Sequence, residues 1–231
     1  MRYNTELQNN NAELQAILDS VNGLPSAGGN GSSENPYGYM CTFYECFRGV
    51  EFPENKELDL FFGEYLKEEQ LNANALYATF RETKNLKRIK VQTIPNSIGF
   101  NYNMTFYGCS AETIELVNTG VVMSINNGFG VCRNLKQIIC ELDFSKVSSA
   151  SGAFTNCTLL EEVRFKKNTI KVGIAFTHSY NLSDESIQSI IDGLANLTNS
   201  ETQTLTFHAD VKAKLTDAQI TAITSKNWTL A

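Results

Sequence analysis

Ala153-Phe154-Thr155-Asn156-Cys157-Thr158-Leu159-Leu160-Glu161-Glu162-Val163-Arg164-Phe165 is one copy of a pattern that recurs through the middle of the chain. Phenylalanines fall at Phe80, Phe106, Phe129, Phe154 and Phe176, at intervals of 26, 23, 25 and 22 residues. Leu86-x-x-Ile89-x-Val91 follows Phe80, and Cys132 with Leu135-x-x-Ile138-x-Cys140 follows Phe129. Phe154 is followed by Cys157 and by Leu160-x-x-Val163-x-Phe165. After Phe106 come Cys109 and Ala111-x-x-Ile114-x-Leu116, one residue short; the Phe176 unit keeps Leu182 and then changes character. The residue before each phenylalanine is small: Thr79, Thr105, Gly128, Ala153 and Ala175.

A period of this size with apolar residues at fixed offsets marks stacked repeats. One such unit cannot bury its apolar face alone, and neighbours on either side complete the core. Each unit supplies one short strand, whose last two apolar residues alternate as one face of a strand requires. Stacking these strands predicts a parallel sheet and an α/β repeat solenoid. The phenylalanine belongs to the return on the other side, where the small residue before it lets the neighbouring unit approach closely.

The pattern resembles the BspA-like leucine-rich repeat, with its Ala-Phe-x-x-Cys-x-x-Leu-x-x-Ile core. Ala153 to Val163 matches it best, and Gly128-Phe129 through Ile138 is close behind. The resemblance spans residues 77–182. It departs from the family between units, where the usual Ile-Pro element occurs only at Ile94-Pro95. It implies a leucine-rich-repeat-like parallel sheet of short strands in a bacterial or prophage-encoded protein of the cell-surface or tail-associated type.

Within 231 residues, an apolar fraction of 42% suffices for a large core. The net charge of −6 disfavours nucleic acid as a partner, since phosphate binding needs clustered Lys and Arg. Lys84, Lys87, Arg88 and Lys90 form the one dense basic group, which also fits a solvated strand face. No apolar run reaches the roughly 18 residues of a membrane span, so no membrane insertion is expected. Met1 to Glu6 has no apolar core of a secretory signal.

Cys109, Cys132 and Cys157 share one repeat offset and are expected to stack inside as small buried residues. Cys140 reads as a strand core position. Cys41 and Cys46 lack nearby histidines, since His178 and His208 are far off in sequence, so no metal and no cofactor is expected.

Residues 1–25 read as an N-terminal helix. Leu7, Leu14 and Val21 recur every seven residues, with Leu18 between them and Asn11 as a polar position. That is either a short coiled-coil seam, making residues 1–23 a homo-oligomer contact, or a helix that docks on the body. Gly23-Leu24-Pro25 ends it, and residues 26–35 are a Gly/Ser linker. The arrangement resembles the N-terminal ends of bacteriophage tail-associated proteins. Residues 36–231 are the repeat domain. Residues 36–76 are rich in aromatics: Tyr37, Tyr39, Phe43, Tyr44, Phe47, Phe52, Phe61, Phe62 and Tyr65. They read as an N-terminal cap or as a surface that grips a partner. Phe43-x-x-Cys46-Phe47-x-x-Val50-x-Phe52 looks like a shortened first repeat, and Leu58 to Gln70 like an inserted helix.

Residues 183–231 read as longer strand-helix repeats. Ser183 starts a helix with Ile187, Ile190, Ile191, Leu194 and Leu197 on one face. Thr202 to Phe207 is a strand, and Thr216 with Gln219 makes a capping box for a second helix. Trp228 and Leu230 are placed to seal the end. This tail resembles the ends of prophage-encoded leucine-rich repeat proteins.

The outward strand positions are Arg88 and Lys90, Thr113 and Glu115, Gln137 and Ile139, then Glu162 and Arg164. Stacking puts them side by side on one exposed sheet, either a binding surface or a plain solvated face. No nucleophile-elbow, phosphate-loop or zinc-protease motif occurs, and His178 and His208 read as loop residues. The expected function is therefore a non-enzymatic binding module recognising a cell-surface protein or glycan, located at a cell surface, extracellularly or on a virion. The alternative is a structural subunit or spacer of a phage tail or appendage.

Overall fold

The structure, a computed structural model, describes residues 45–61, 76–92, 99–118 and 122–231. The expected N-terminal helix and linker, Cys41, the aromatics Tyr37 to Tyr44, Phe62 and Tyr65, and Ile94-Pro95 lie outside the described residues.

The described chain is α/β, with parallel sheets and few helices. Its largest sheet is five-stranded and parallel, in the order β1 (Glu51–Phe61), β2 (Lys84–Gln92), β4 (Thr113–Val117), β6 (Gln137–Leu142), β7 (Glu162–Phe165). A small pair joins β3 (Phe100–Asn101) to β5 (Val122–Ser124). A three-stranded parallel sheet runs β8 (Ile174–Phe176), β9 (Gln203–Phe207), β10 (Trp228–Leu230). The helices are α1 (Asp184–Gly193), α2 (Ala209–Lys212) and α3 (Asp217–Thr224).

Register follows the repeat. Leu58 pairs with Ile89, Ile89 with Ile114 and Ile114 with Ile138, so one buried apolar row crosses four strands. Leu60, Val91 and Leu116 make the next row. The expected helix over Leu58 to Gln70 is corrected at its start: Leu58 to Phe61 finish β1, because Leu58 and Leu60 alternate in phase with Ile89 and Val91, and the rest of that segment lies outside the described residues.

Opposite this sheet the phenylalanine rings stack. Phe47, Phe80, Phe106, Phe129 and Phe154 follow one another at centroid distances of 5.5, 5.5, 5.3 and 5.6 Å, with planes within 12°. Rings this parallel yet this far apart are slipped past each other, which the ring quadrupole prefers to face-on contact. Phe176 continues the stack at 4.8 Å and Phe207 at 6.1 Å, so it begins one ring earlier and ends one ring later than the five-unit period suggests. Phe47 stacks on Phe80 from 33 residues before it.

Around each of the first rings the backbone makes overlapping turns. Thr79, Arg81 and Thr83 N–H groups donate to the carbonyls of Leu76, Ala78 and Phe80. The N–H groups between them reach the next unit: Phe80 N–H donates to the Thr105 carbonyl at 2.8 Å, Phe106 to Gly128 at 2.9 Å and Phe129 to Ala153 at 3.0 Å. The carbonyl being approached therefore belongs to the small residue before the next phenylalanine. A Cβ on Gly128 would sit 2.7 Å from Ile125 Cγ1 and 2.9 Å from the Tyr102 carbonyl oxygen. That is the physical content of the small-residue column.

Two residues before and two after each of these rings the backbone is left-handed: Ala78 and Glu82, Met104 and Gly108, Asn127 and Val131, Gly152 and Asn156. Val131, with φ 62°, is the costly member, because a β-branched side chain crowds the following carbonyl there. Asn156 occupies the same offset one unit later. Val131→Asn is expected to raise stability by about 1 kcal/mol. The check is the urea midpoint, and an unchanged or lowered midpoint would contradict the strain argument.

The column three residues after each ring holds Thr83, Cys109, Cys132, Cys157 and Ser179, all buried. The Cys132 thiol donates to the Phe106 carbonyl and the Cys157 thiol to the Phe129 carbonyl, as the Thr83 hydroxyl does to Phe80. The three cysteines thus stack inside, as their shared offset predicts.

In the C-terminal part α1 starts at Ser183, whose hydroxyl accepts from the Ser186 N–H, with Asp184 and Glu185 in the first turn. It ends at Gly193, earlier than its apolar spacing suggests. A Cβ there would meet Phe165 Cβ at 2.9 Å and Ile170 Cδ1 at 3.0 Å, and the next residue bridges to Ile170. Leu194 and Leu197 are buried beyond the helix rather than on it. The Lys226 ammonium donates to the carbonyls of Ile191 and Leu194 and so closes that end. The Thr216–Gln219 capping box opens α3. Trp228 is buried on the outermost strand, its indole N–H donating to the Ala195 carbonyl at 2.9 Å, while Leu230 stays half-buried.

Candidate functional site

The eight outward residues do not form one continuous row. Arg88, Thr113 and Gln137 are true cross-strand neighbours, as are Lys90, Glu115 and Ile139. Gln137 pairs with Glu162, but the next pairs are Glu141 with Arg164 and Leu142 with Phe165. Four residues of β6 are thus set against two of β7. The expected alignment of Ile139 with Arg164 is corrected: Arg164 lies opposite Glu141. Cys140 is corrected as well. It is half-buried, and Leu142 takes the core position across from Phe165.

The cause is a register shift, or bulge, that puts two extra residues on the β6 side between Gln137 and Glu141. Ile139 keeps its outward place in the alternation of β6 and its pairing with Glu115, and it is 42% exposed, one of few large apolar side chains so placed among the described residues.

Arg88, Lys90 and Glu115 belong to a different environment. Arg88 pairs with Glu115, and Lys90 lies 3.8 Å from Asp59 and 3.9 Å from Glu115. The Lys90 side chain is only 15% exposed. Their charges are matched within the sheet, which leaves little for a ligand.

Gln137, Ile139, Glu162 and Arg164 instead share a groove with α1. Its volume is about 630 Å³, within the range of ligand sites. Ile139 and the half-buried Cys140 contribute its apolar surface over the buried Ile138 and Phe165, and Glu185, Gln188 and Asp192 of α1 line it as well. The helix is held there by two serines one turn apart. The Val163 N–H donates to Ser186 Oγ at 3.0 Å and the Phe165 N–H to Ser189 Oγ at 2.9 Å. These are edge groups of β7 that a further strand would otherwise take. The Ser183, Ser186, Ser189 spacing was the available sequence signal for this join, and the sequence reading used only the first of the three, as a cap.

Arg164 pairs with Glu162 at 3.2 Å and Lys167 with Asp192 at 3.5 Å. The Gln188 amide donates to Asp192 at 2.8 Å.

Other reactive groups already have structural tasks. His178 Nδ1 accepts from the Asn156 N–H at 3.4 Å, and His208 caps α2. Burial pushes the Cys140 and Cys157 thiols up to about 12 and Cys46 to about 11, and raises Cys109 and Cys132. A thiol held protonated is a poor nucleophile. Among the described residues no group of three or more His, Cys, Asp or Glu is arranged to hold a metal, and no helix is long and apolar enough to cross a membrane. No protein-family model matches the chain, and neither a curated protein nor a solved structure matches it.

Proposed function

We propose that the chain is a non-enzymatic recognition module. It is a leucine-rich-repeat solenoid of BspA-like type that offers the groove between β6, β7 and α1 to a cell-surface protein or glycan. Its place is a cell surface, the extracellular space or a virion. The observation that carries this reading is the bulge. Over the pairs from Arg88 to Gln92, β2 meets β4 without a shift, so the repeat itself does not require one. At β6 the ladder to β7 is interrupted, and beside that interruption the outward Ile139 lines an open groove. A structural spacer in a tail or appendage would be served by the stacked rings alone and has no use for that side chain.

The test is binding of fluorescently labelled full-length chain to a panel of bacterial and epithelial cells, read by flow cytometry. Ile139→Asp is expected to reduce binding at least about tenfold without lowering the melting temperature, as loss of a central apolar anchor does. Arg88→Glu with Lys90→Glu is expected to leave binding nearly unchanged. The reverse ranking would move the site to the ion-paired rows. Absence of binding across the panel would favour the spacer.

A further inference from the structure

The groove's charge is unbalanced. Glu141, Glu162, Glu185 and Asp192 line it against Arg164 and Lys167. Both cations are taken by Glu162 and Asp192, while Glu141 and Glu185 are exposed and form no ion pair among the described residues. These two carboxylates come from different elements, β6 and the first turn of α1, and both line the same groove. With them are the exposed Ile139 and the half-buried Cys140. Gln137 adds an exposed amide able both to donate to and accept from a peptide group.

Resting on the recognition reading above, we infer that the groove takes a polypeptide segment with an apolar side chain flanked by lysine or arginine. The apolar side chain lies on Ile139, and the cations meet Glu141 and Glu185. Complementary charge sets partner choice and approach rate, while the desolvated apolar contact supplies the anchor. A glycan fits this lining less well. The one aromatic ring in it, Phe165, is only 2% exposed and offers no face for a sugar ring. A phosphate-bearing ligand would meet the two unpaired carboxylates and be repelled.

The test uses the full chain on an array of dodecapeptides in a Gly/Ser frame, alongside an array of neutral and sialylated glycans. One peptide set carries Lys-Leu-Lys, a second Glu-Leu-Glu and a third Lys-Ala-Lys. The first set is expected to bind, the second to give no signal and the third to bind at least tenfold more weakly. Raising salt from 50 to 500 mM should weaken the first set several-fold, since exposed charges are screened. Glu141→Lys with Glu185→Lys should abolish binding of the first set. Glu54→Lys with Glu201→Lys changes net charge equally outside the groove and should preserve it. Circular dichroism establishes that each variant is folded.

If Lys-Leu-Lys peptides bind equally to both double variants, they adsorb by net charge, and the inference is wrong. Groove-dependent glycan binding with no peptide binding would keep the groove as the site and overturn the cationic partner. Ligand binding of either kind that ignores both Ile139→Asp and the groove charge variants would overturn the groove itself.

Discussion

Phe129→Ala is expected to cost about 3–5 kcal/mol, the range for emptying a fully buried aromatic site. That is a large share of the roughly 5–15 kcal/mol that holds an ordinary domain. Phe129 is completely buried and stacks on Phe106 at 5.3 Å and on Phe154 at 5.6 Å. Its truncation removes ring contacts on both sides and opens a cavity between two turns whose backbones are hydrogen-bonded to each other, which limits how far the walls can collapse. Phe207→Ala removes the last ring, whose one neighbour in the stack is Phe176, tilted by 31° at 6.1 Å. It should therefore cost less than Phe129→Ala. Equilibrium urea unfolding of both variants checks the ranking. A Phe129→Ala loss below about 1 kcal/mol would mean that the stack is a consequence of the fold and contributes little to holding it.

Alkaline pH is expected to destabilise the chain through its buried thiols. Burial raises Cys157 from an ordinary 9.0 to about 12, and raises Cys109 and Cys132 as well. Above pH 9 the unfolded chain releases these protons while the folded chain still holds them. The stability that each thiol carries is thus fully present below about pH 9 and is lost as pH climbs toward the folded value. For Cys157 the loss approaches about 1.4 kcal/mol per pH unit once the unfolded thiol is fully ionised. Cys157 alone would then remove about 1 kcal/mol between pH 9 and pH 10, and Cys109 and Cys132 act in the same direction. The triple variant Cys109→Ser, Cys132→Ser, Cys157→Ser isolates this effect from tyrosine and lysine titration. It places in the column the hydroxyl that Thr83 and Ser179 already carry there. Thermal melts from pH 7 to 11 should fall steeply above pH 9 for the parent and much less for the triple variant. Parallel curves would show that these three thiols are not the groups responsible.

The groove illustrates how far a single sequence carries. Gln137, Ile139, Glu162 and Arg164 were identifiable as outward strand positions from alternation alone, and they are neighbours in the structure. Arg88, Lys90 and Glu115 satisfied the same criterion, yet they pair with one another and with Asp59. Alternation reports which face of a strand a residue occupies. It says nothing of which charges on adjacent strands fall within reach.

The spacing of phenylalanines, cysteines and small residues by itself determined which side chains are buried and that the strands pair in parallel. Those properties depend on local offsets, repeated often enough to be read without a partner. Only the tertiary structure decided the rest. Leu135-x-x-Ile138-x-Cys140 has the frame of Leu160-x-x-Val163-x-Phe165, yet Leu142 pairs with Phe165, because register is settled between two strands and a bulge is invisible in either one alone. Phe47 joins the stack across 33 residues and Phe207 across 31, intervals outside the period that marked the others, since ring stacking tests position in space and not distance along the chain. The serines that seat α1 against β7 are likewise ordinary helix residues until the open edge of the sheet is beside them.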